Sequence, residues 1–507
     1  MRRLIAALCC LVPGALNAQS FEIDAVDFSE SVYLSEEELQ AIAAQYTDRS
    51  ISLADLQEMV AAVQTLYTEA GIITARAVLP PQEIRDGTLR VELVEALVED
   101  IVVEGFEQTD PAFFSRTLSI AEGQRPDFAE LERDLRRYEI SYDLRPQLSF
   151  RPGEEPGTTV AVIRAEEPER FSFTGSLDNF GSEETGELRG TLFAKASSLT
   201  GWRDTLTGQI QGSEGAYSGS LAYARPVGGR GGVLLATTSY ADSQIISGPF
   251  SAVDIVSNSA TLSFGYRQPF RVRSQSHAFG EINILTEQSE SELEGAPLSD
   301  QTLTEVVLTG GFVRRGDRQN LGLTFGLKLG QADSDSTSET EGDYQIAFAS
   351  ASYARTMGER LIFDASVSAQ FGEDQNLPVA RLFTVGGATT VRGYPSSVRS
   401  GDSGLLTRLQ LSRRQPIRPE ARPELAITPF GFADLGVVVP FRDPDPGADP
   451  AGGFDSDQDV LMSLGGGARF NWNARTRGVL MVAQPLRDTL GFEASGATVY
   501  LGVDIDF

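Results

Sequence analysis

Two cysteines and one histidine are all that 507 residues contain of those types. Cys9 and Cys10 stand side by side near the start, so the rest of the chain offers no disulfide framework, Cys-rich zinc site or Cys–His nucleophile. His277 alone cannot build a His-rich metal centre, and no cofactor is implied. Most routes to an enzyme are therefore narrow. Positive charge is also short: 42 Lys and Arg against 71 Asp and Glu give a formal charge of −29. That balance argues against a nucleic-acid partner, whose phosphates need a basic surface. After residue 18 no apolar run is long enough for a helix to cross a bilayer.

What is present starts with an export signal. Arg2 and Arg3 precede an apolar stretch from Leu4 to Leu16, and Ala18 stands before Gln19. A basic segment followed by a short apolar one reads as a secretory signal over residues 1–18. An exported chain without a spanning helix is soluble, secreted or a membrane β-barrel, whose alternating strands escape a hydropathy scan.

Residues 21 to about 168 mix helix and strand signals twice over. In the first copy, 21–28 reads as a strand, and Ser35 with Glu38 forms a capping box ahead of Leu39, Ile42 and Tyr46. Ser52 caps a second helix whose Leu56, Met59, Val60, Val63, Leu66 and Tyr67 share one face, and Gly71 ends it. Residues 72–79 and the alternation of Leu89, Val91 and Leu93 supply two more strands. The second copy opens near Val98 with Ile101 and Val103. Asp110 caps Pro111, Asp127 pairs with Glu130, and Phe128, Leu131, Leu135 and Tyr138 trace an apolar face. Strands near 142–150 and 158–165 close it. Two β-α-α-β-β units are a repeat of architecture.

From about Arg170 the grammar changes to period two. Leu321, Leu323, Phe325, Leu327 and Leu329 alternate with small or polar residues, as do the odd positions from Leu361 to Phe371, and Ala260, Leu262, Phe264 and Tyr266. A membrane barrel needs this pattern, although a soluble sandwich also shows it. The last strand alternates Val499, Leu501, Val503 and Ile505, and it finishes on Phe507. An amphipathic end on an aromatic residue resembles the assembly signal of outer-membrane barrels. Residues 170–507 accommodate sixteen strands of roughly 9–11 residues with connections between them. Residues 286–305, 331–343 and 443–459 are polar and acidic and read as outer loops.

One loop carries a family resemblance. Leu382-Phe-Thr-Val-Gly-Gly-Ala-Thr-Thr-Val-Arg-Gly-Tyr394, followed by Gly401-Asp-Ser-Gly404, resembles the signature loop of the two-partner secretion transporters, the haemolysin secretion/activation family. These share a superfamily with the BamA barrel-assembly proteins. The motif core is Val391, Arg392, Gly393 and Tyr394, and the family's Phe-x-Asp-x-Gly pattern is matched by Phe432, Asp434 and Gly436. Asp178-Asn-Phe-Gly181 with Thr185-Gly186 is similar to the family's first barrel hairpin, and residues 67–82 to its first polypeptide-transport-associated (POTRA) domain.

The resemblance implies α+β periplasmic POTRA domains followed by an all-β transmembrane β-barrel of 16 antiparallel strands. The segments are a signal peptide at 1–18, POTRA domains at 19–96 and 97–168, and a barrel at 169–507. It implies a non-enzymatic outer-membrane transporter that secretes a large β-helical exoprotein such as a haemolysin or adhesin. POTRA domains would bind the unfolded client in the periplasm, and client folding outside would drive export, since the sequence holds no P-loop. Other implied partners are outer-membrane lipid and lipopolysaccharide, and the barrel-assembly machinery during biogenesis; the chain is expected to be a monomer. Within the motif, Arg392 is expected to pair with Asp434 on the inner wall, Gly393 to allow the tight tip, and Tyr394 to pack the loop. A barrel-assembly factor is the alternative function, with a passive porin behind it. One departure stands out: Phe21 follows the signal almost directly, so a plug helix is absent or the Arg392 loop closes the pore alone.

Overall fold

The computed structural model describes residues 20–84, 86–248, 250–335, 340–372, 376–419, 424–440 and 455–507. The expected signal at 1–18, any plug helix there, and most of the expected loop at 443–459 lie outside the described residues. The chain divides into two compact units. One comprises residues 1–105, 119–132 and 147–164; the other comprises 106–118, 133–146 and 165–507.

In the first unit, Ser35 and Ser52 cap the helices Glu36–Ala43 and Leu53–Glu69, each through a reciprocal box closed by Glu38 and Asp55. Leu56, Met59, Val63 and Tyr67 are the buried face of the longer helix. The stretch 21–28 is two strands rather than one. Ser20–Ile23 pairs with Arg49–Ser52, a four-residue strand too short to show a period, whereas Ala25–Phe28 runs parallel to Thr88–Glu95. The chain changes sheets at Asp24, whose amide donates to Gly87 O at 2.8 Å. The expected strand over 72–79 shortens to Ala75–Val78 and completes a three-stranded sheet. Buried Glu95 accepts from Val32 N at 2.9 Å and from the Tyr67 hydroxyl at 3.0 Å, and Arg125 lies 3.5 Å away. Burial, with the Glu95 charge adding to it, pushes the Tyr67 phenol upward. A second sheet sets Leu97–Glu104 parallel, and Gln147–Pro152 antiparallel, to Thr158–Arg164.

In the second unit, Asp110 caps the helix Pro111–Thr117. The strand expected from 142 begins only at Gln147, because Tyr142 serves a different purpose. It is buried against Phe113 and Tyr138, accepts from Gly231 N at 2.9 Å, and is followed by a left-handed Asp143 at φ +49°.

The rest is a closed barrel of sixteen antiparallel strands in which Phe171–Asp178 pairs both with Arg189–Ser197 and with the last strand, Thr498–Asp506. Apolar side chains such as Leu192, Phe264, Ile284, Phe325 and Leu480 point outward and are exposed, as lipid-facing residues must be. No described helix is long and apolar enough to cross a membrane. The expected loop at 286–305 is not a loop. Ser276–Leu293 and Ala296–Arg315 form a hairpin closed by Glu294 and Gly295, at φ +52° and +77°. Two left-handed residues suit the strand twist of a two-residue turn. Beyond the bilayer both strand faces are wet, so the strands run on without the apolar alternation that marked them lower down. Residues 331–334 and 342–343 are strand for the same reason, as parts of Gln319–Ser334 and Gly342–Met357.

Candidate functional site

The connection between the strands Leu361–Gly372 and Ser403–Arg413 folds back against the inner wall. Its described residues contain a 3-10 turn, Val379–Arg381, and a small hairpin of Phe383–Val385 with Arg399–Gly401. The tip is shaped by left-handed glycines. Gly386, Gly387 and Gly393 have φ of +114°, +97° and +95°, and a Cβ on Gly386 would lie 2.3 Å from Pro395 O. Thr390 staples the turn, its Oγ1 accepting from Gly386 N at 2.8 Å and donating to Gly386 O at 2.6 Å.

Val391, Arg392, Gly393 and Tyr394 all lie in the buried part of this tip. The Arg392 guanidinium meets Asp434 in a two-pronged contact, Nε to Oδ2 at 2.7 Å and Nη2 to Oδ1 at 2.6 Å, and its backbone N–H donates to Oδ2 at 3.2 Å. Both side chains are almost wholly buried, at 4% and 0% exposure. The fork of an arginine fits a carboxylate in this way, whereas a lysine would supply only a point charge. Phe432, two residues before Asp434, lies under the guanidinium with the ring centroid 3.4 Å from Cζ. Two residues beyond, a Cβ on Gly436 would come within 2.7 Å of Val391 Cγ2 and 3.1 Å of Val385 Cγ1. Phe432, Asp434 and Gly436 thus occupy alternate buried positions of Ala426–Val439 as a platform, a carboxylate and a hollow.

Gly393 N donates to the Tyr500 hydroxyl at 2.9 Å, and Thr498 Oγ1 donates to Gly393 O at 3.1 Å. The Tyr394 hydroxyl lies 2.9 Å from both Met462 O and Arg487 O, and it accepts from Met462 N at 3.2 Å. Arg408 Nη1 donates to Thr389 O at 2.8 Å, while its Nε lies 3.8 Å from Asp434 Oδ1. Arg469 rests on Phe430 at 4.9 Å. A chamber of about 390 Å³ beside Arg392 is lined by Arg408, Arg469, Gln410 and Asp364. Sequence reading missed Tyr500 and Arg408; the signal for Tyr500 was its inward register on the amphipathic last strand, and Arg408 had none. Phe507 lies elsewhere, on the outside at the closing seam, where its N–H donates to Phe173 O at 3.0 Å.

The model of the haemolysin secretion/activation proteins ShlB/FhaC/HecB matches residues 157–447, more than half of the chain. The chain belongs to this family. The ShlB-type POTRA model matches residues 21–96. Among relatives, the heme/hemopexin transporter protein HuxB of Haemophilus influenzae is 24% identical over 400 residues, covering 75% of this chain and 70% of HuxB. The outer membrane transporter CdiB of Dickeya dadantii is 25% identical, covering 79% and 73%. The hemolysin transporter protein ShlB of Serratia marcescens is 24% identical, covering 84% and 77%. The structure of CdiB from Escherichia coli shares the fold with a TM-score of 0.72 at 18% identity, over 99% of this chain and 93% of CdiB. BamA from Haemophilus ducreyi, lacking its POTRA domains 1–3, gives 0.58 at 12% identity, over 96% and 100%. This haemolysin secretion/activation family member is therefore an outer-membrane transporter of the two-partner type, with its POTRA domain in the periplasm. Its first barrel strand accordingly runs outward, and the turn at Glu294 and the connection carrying Arg392 belong to the outer side.

Proposed function

We propose that this transporter exports one dedicated, unfolded exoprotein, a large β-helical protein such as a haemolysin or adhesin. The names of its relatives, hemolysin transporter and heme/hemopexin transporter, favour a single large client over a general substrate. Residues 97–168 serve as a second POTRA domain. The client is received in the periplasm by β-augmentation on a free edge such as Ala75–Val78 or Gln147–Pro152, where backbone hydrogen bonds supply affinity with little sequence demand. Lipid and lipopolysaccharide surround a monomeric barrel delivered by the assembly machinery, and the role needs no bond chemistry.

The observation that carries the reading is the Arg392–Asp434 clamp, which fixes the loop tip to Ala426–Val439. Losing one partner of a buried pair costs about 3–5 kcal/mol, enough to release a loop. Arg392→Ala is expected to cut the client recovered from the medium severely while leaving the barrel in the membrane. Export at the wild-type level would reject the role of the clamp. A general fall of other outer-membrane barrels on deletion would instead indicate an assembly factor.

A further inference from the structure

A second buried arginine holds the same loop at its other end. Arg381 closes the 3-10 turn Val379–Arg381, where the chain comes in from the strand Leu361–Gly372. Its guanidinium spans two carboxylates on neighbouring strands, Nε to Glu305 Oε1 at 2.6 Å and Nη1 to Glu287 Oε2 at 3.0 Å. Tyr344 donates to the same Glu305 oxygen at 2.6 Å. Arg381 and Glu305 are 8% and 1% exposed. Lys328 stands within electrostatic reach of both carboxylates, so two cations face two anions. Around them Leu303, Ala332, Tyr344, Ile346 and Leu377 form an apolar cluster, with Leu382 against it. The backbone is tied as well: Gln370 Nε2 donates to Arg381 O at 2.8 Å and to Asp402 O at 3.2 Å, and Leu377 N donates to Asp402 Oδ1 at 2.9 Å.

The two arginines grip different parts of the wall. Arg381 holds Ser276–Leu293 and Ala296–Arg315, whereas Arg392 holds Ala426–Val439, and four barrel strands separate the two places in the ring. Between them lie Gly386 and Gly387, both left-handed and neighbours in sequence, which makes that stretch a natural hinge. Removing Arg381 would take from Glu287 and Glu305 the guanidinium that bridges them and leave the buried Glu305 carboxylate without its ion-pair partner, so the loss is costly.

We infer that Arg381 is a second, independent fastening of the loop, a positioning residue that keeps the base on the wall when the tip lets go. The loop then works as a strap hinged near Gly386 and Gly387. Release of Arg392 swings the tip aside without freeing the whole connection, and restoration of the clamp needs no search. This rests on the proposed role of Arg392 in transport, but the fastening itself can be measured without transport.

The chain's only cysteines are Cys9 and Cys10, so their replacement by alanine gives a thiol-free background. Two wall alanines, both 0% exposed, then serve as reporters: A332C in the cluster with Leu377 and Leu382, and A483C in the cluster with Ala388 of the tip. Labelling of the purified full chain by a charged maleimide reads how often each is uncovered. Arg381→Met should raise the A332C labelling rate by at least about tenfold and leave A483C near wild type, Arg392→Ala should do the reverse, and the double variant should expose both. The inference is overturned if Arg381→Met leaves A332C protected, or if Arg392→Ala alone uncovers both sites. Should Arg381→Met fail to give a heat-modifiable barrel, Glu305→Gln and Arg381→Lys make the same test, since each weakens the fork and keeps the volume. A wild type that exports no client would defeat the transport reading while the labelling rates still decide the fastening.

Discussion

Asp434 answers three hydrogen-bond donors of Arg392 from a position with no access to water. Asp434→Asn keeps the shape and removes the charge, stranding a buried guanidinium at a cost of about 3–5 kcal/mol. Its export defect should match that of Arg392→Ala when secreted client is quantified. Gly436→Ala tests the hollow separately, because the added methyl presses on Val391 Cγ2 from 2.7 Å. Overpacking of this kind costs about 1–3 kcal/mol, so export should fall less, and Val391→Ala in the same chain should recover part of the loss. Failure of that rescue would mean the glycine matters for another reason. At this scale the sequence announced Arg392, Gly393 and Asp434 through a motif. Arg381, Glu305 and Tyr500 passed unnoticed because each matters only through a partner distant in the chain.

At the scale of elements, helix ends were legible and sheet changes were not. Ser35, Ser52 and Asp110 advertise helix starts by chemistry confined to a few neighbouring residues. The break at Asp24 depends on Gly87, more than sixty residues away, and left no local trace. The long hairpin was misread because charge in a strand and charge in a loop look alike once lipid is no longer one of the neighbours. The segment joining helical and barrel residues supplies a pH prediction. The Glu167 carboxylate accepts from Glu107 N at 2.8 Å and Gln108 N at 2.9 Å, with Thr109 as a third donor. Burial alone would raise its pKa, but these donors and the nearby Arg203 hold it below the usual 4.5. A depressed carboxylate stabilises fully above its unfolded value and loses that contribution as pH falls through the folded one. Amide exchange at Glu107 and Gln108 should therefore become faster below about pH 4.5 relative to a Glu167→Gln variant, whose protection should show no such step.

For the whole molecule, closure is the property with consequences. Sixteen paired strands leave no open edge, so an unheated sample in detergent should migrate ahead of a boiled one. The seam between Phe171–Asp178 and Thr498–Asp506 carries five paired positions, fewer than its neighbours. Asn179 extends it with its carboxamide, donating to Val499 O at 2.9 Å and accepting from Leu501 N at 2.8 Å. Asn179→Ala should lower the temperature of the mobility shift slightly, in keeping with about 1 kcal/mol for each hydrogen bond lost. The barrel as a class was readable from period two. Its closure was not, because the partnership of first and last strands is a fact of geometry rather than of composition.

The hairpin of Ser276–Leu293 and Ala296–Arg315, with 18 and 20 residues, makes the rim lopsided. A tilted strand needs only roughly 9–11 residues to cross the hydrocarbon. The surplus, at about 3.4 Å per residue, lifts one edge by on the order of 20 Å. That edge is an acidic blade carrying Glu290, Glu292, Glu294 and Asp300, on the side that an antibody or a phage can reach. A short epitope inserted between Glu294 and Gly295 should accordingly be stained on intact cells, with export unaffected. The transporter would then double as a display scaffold.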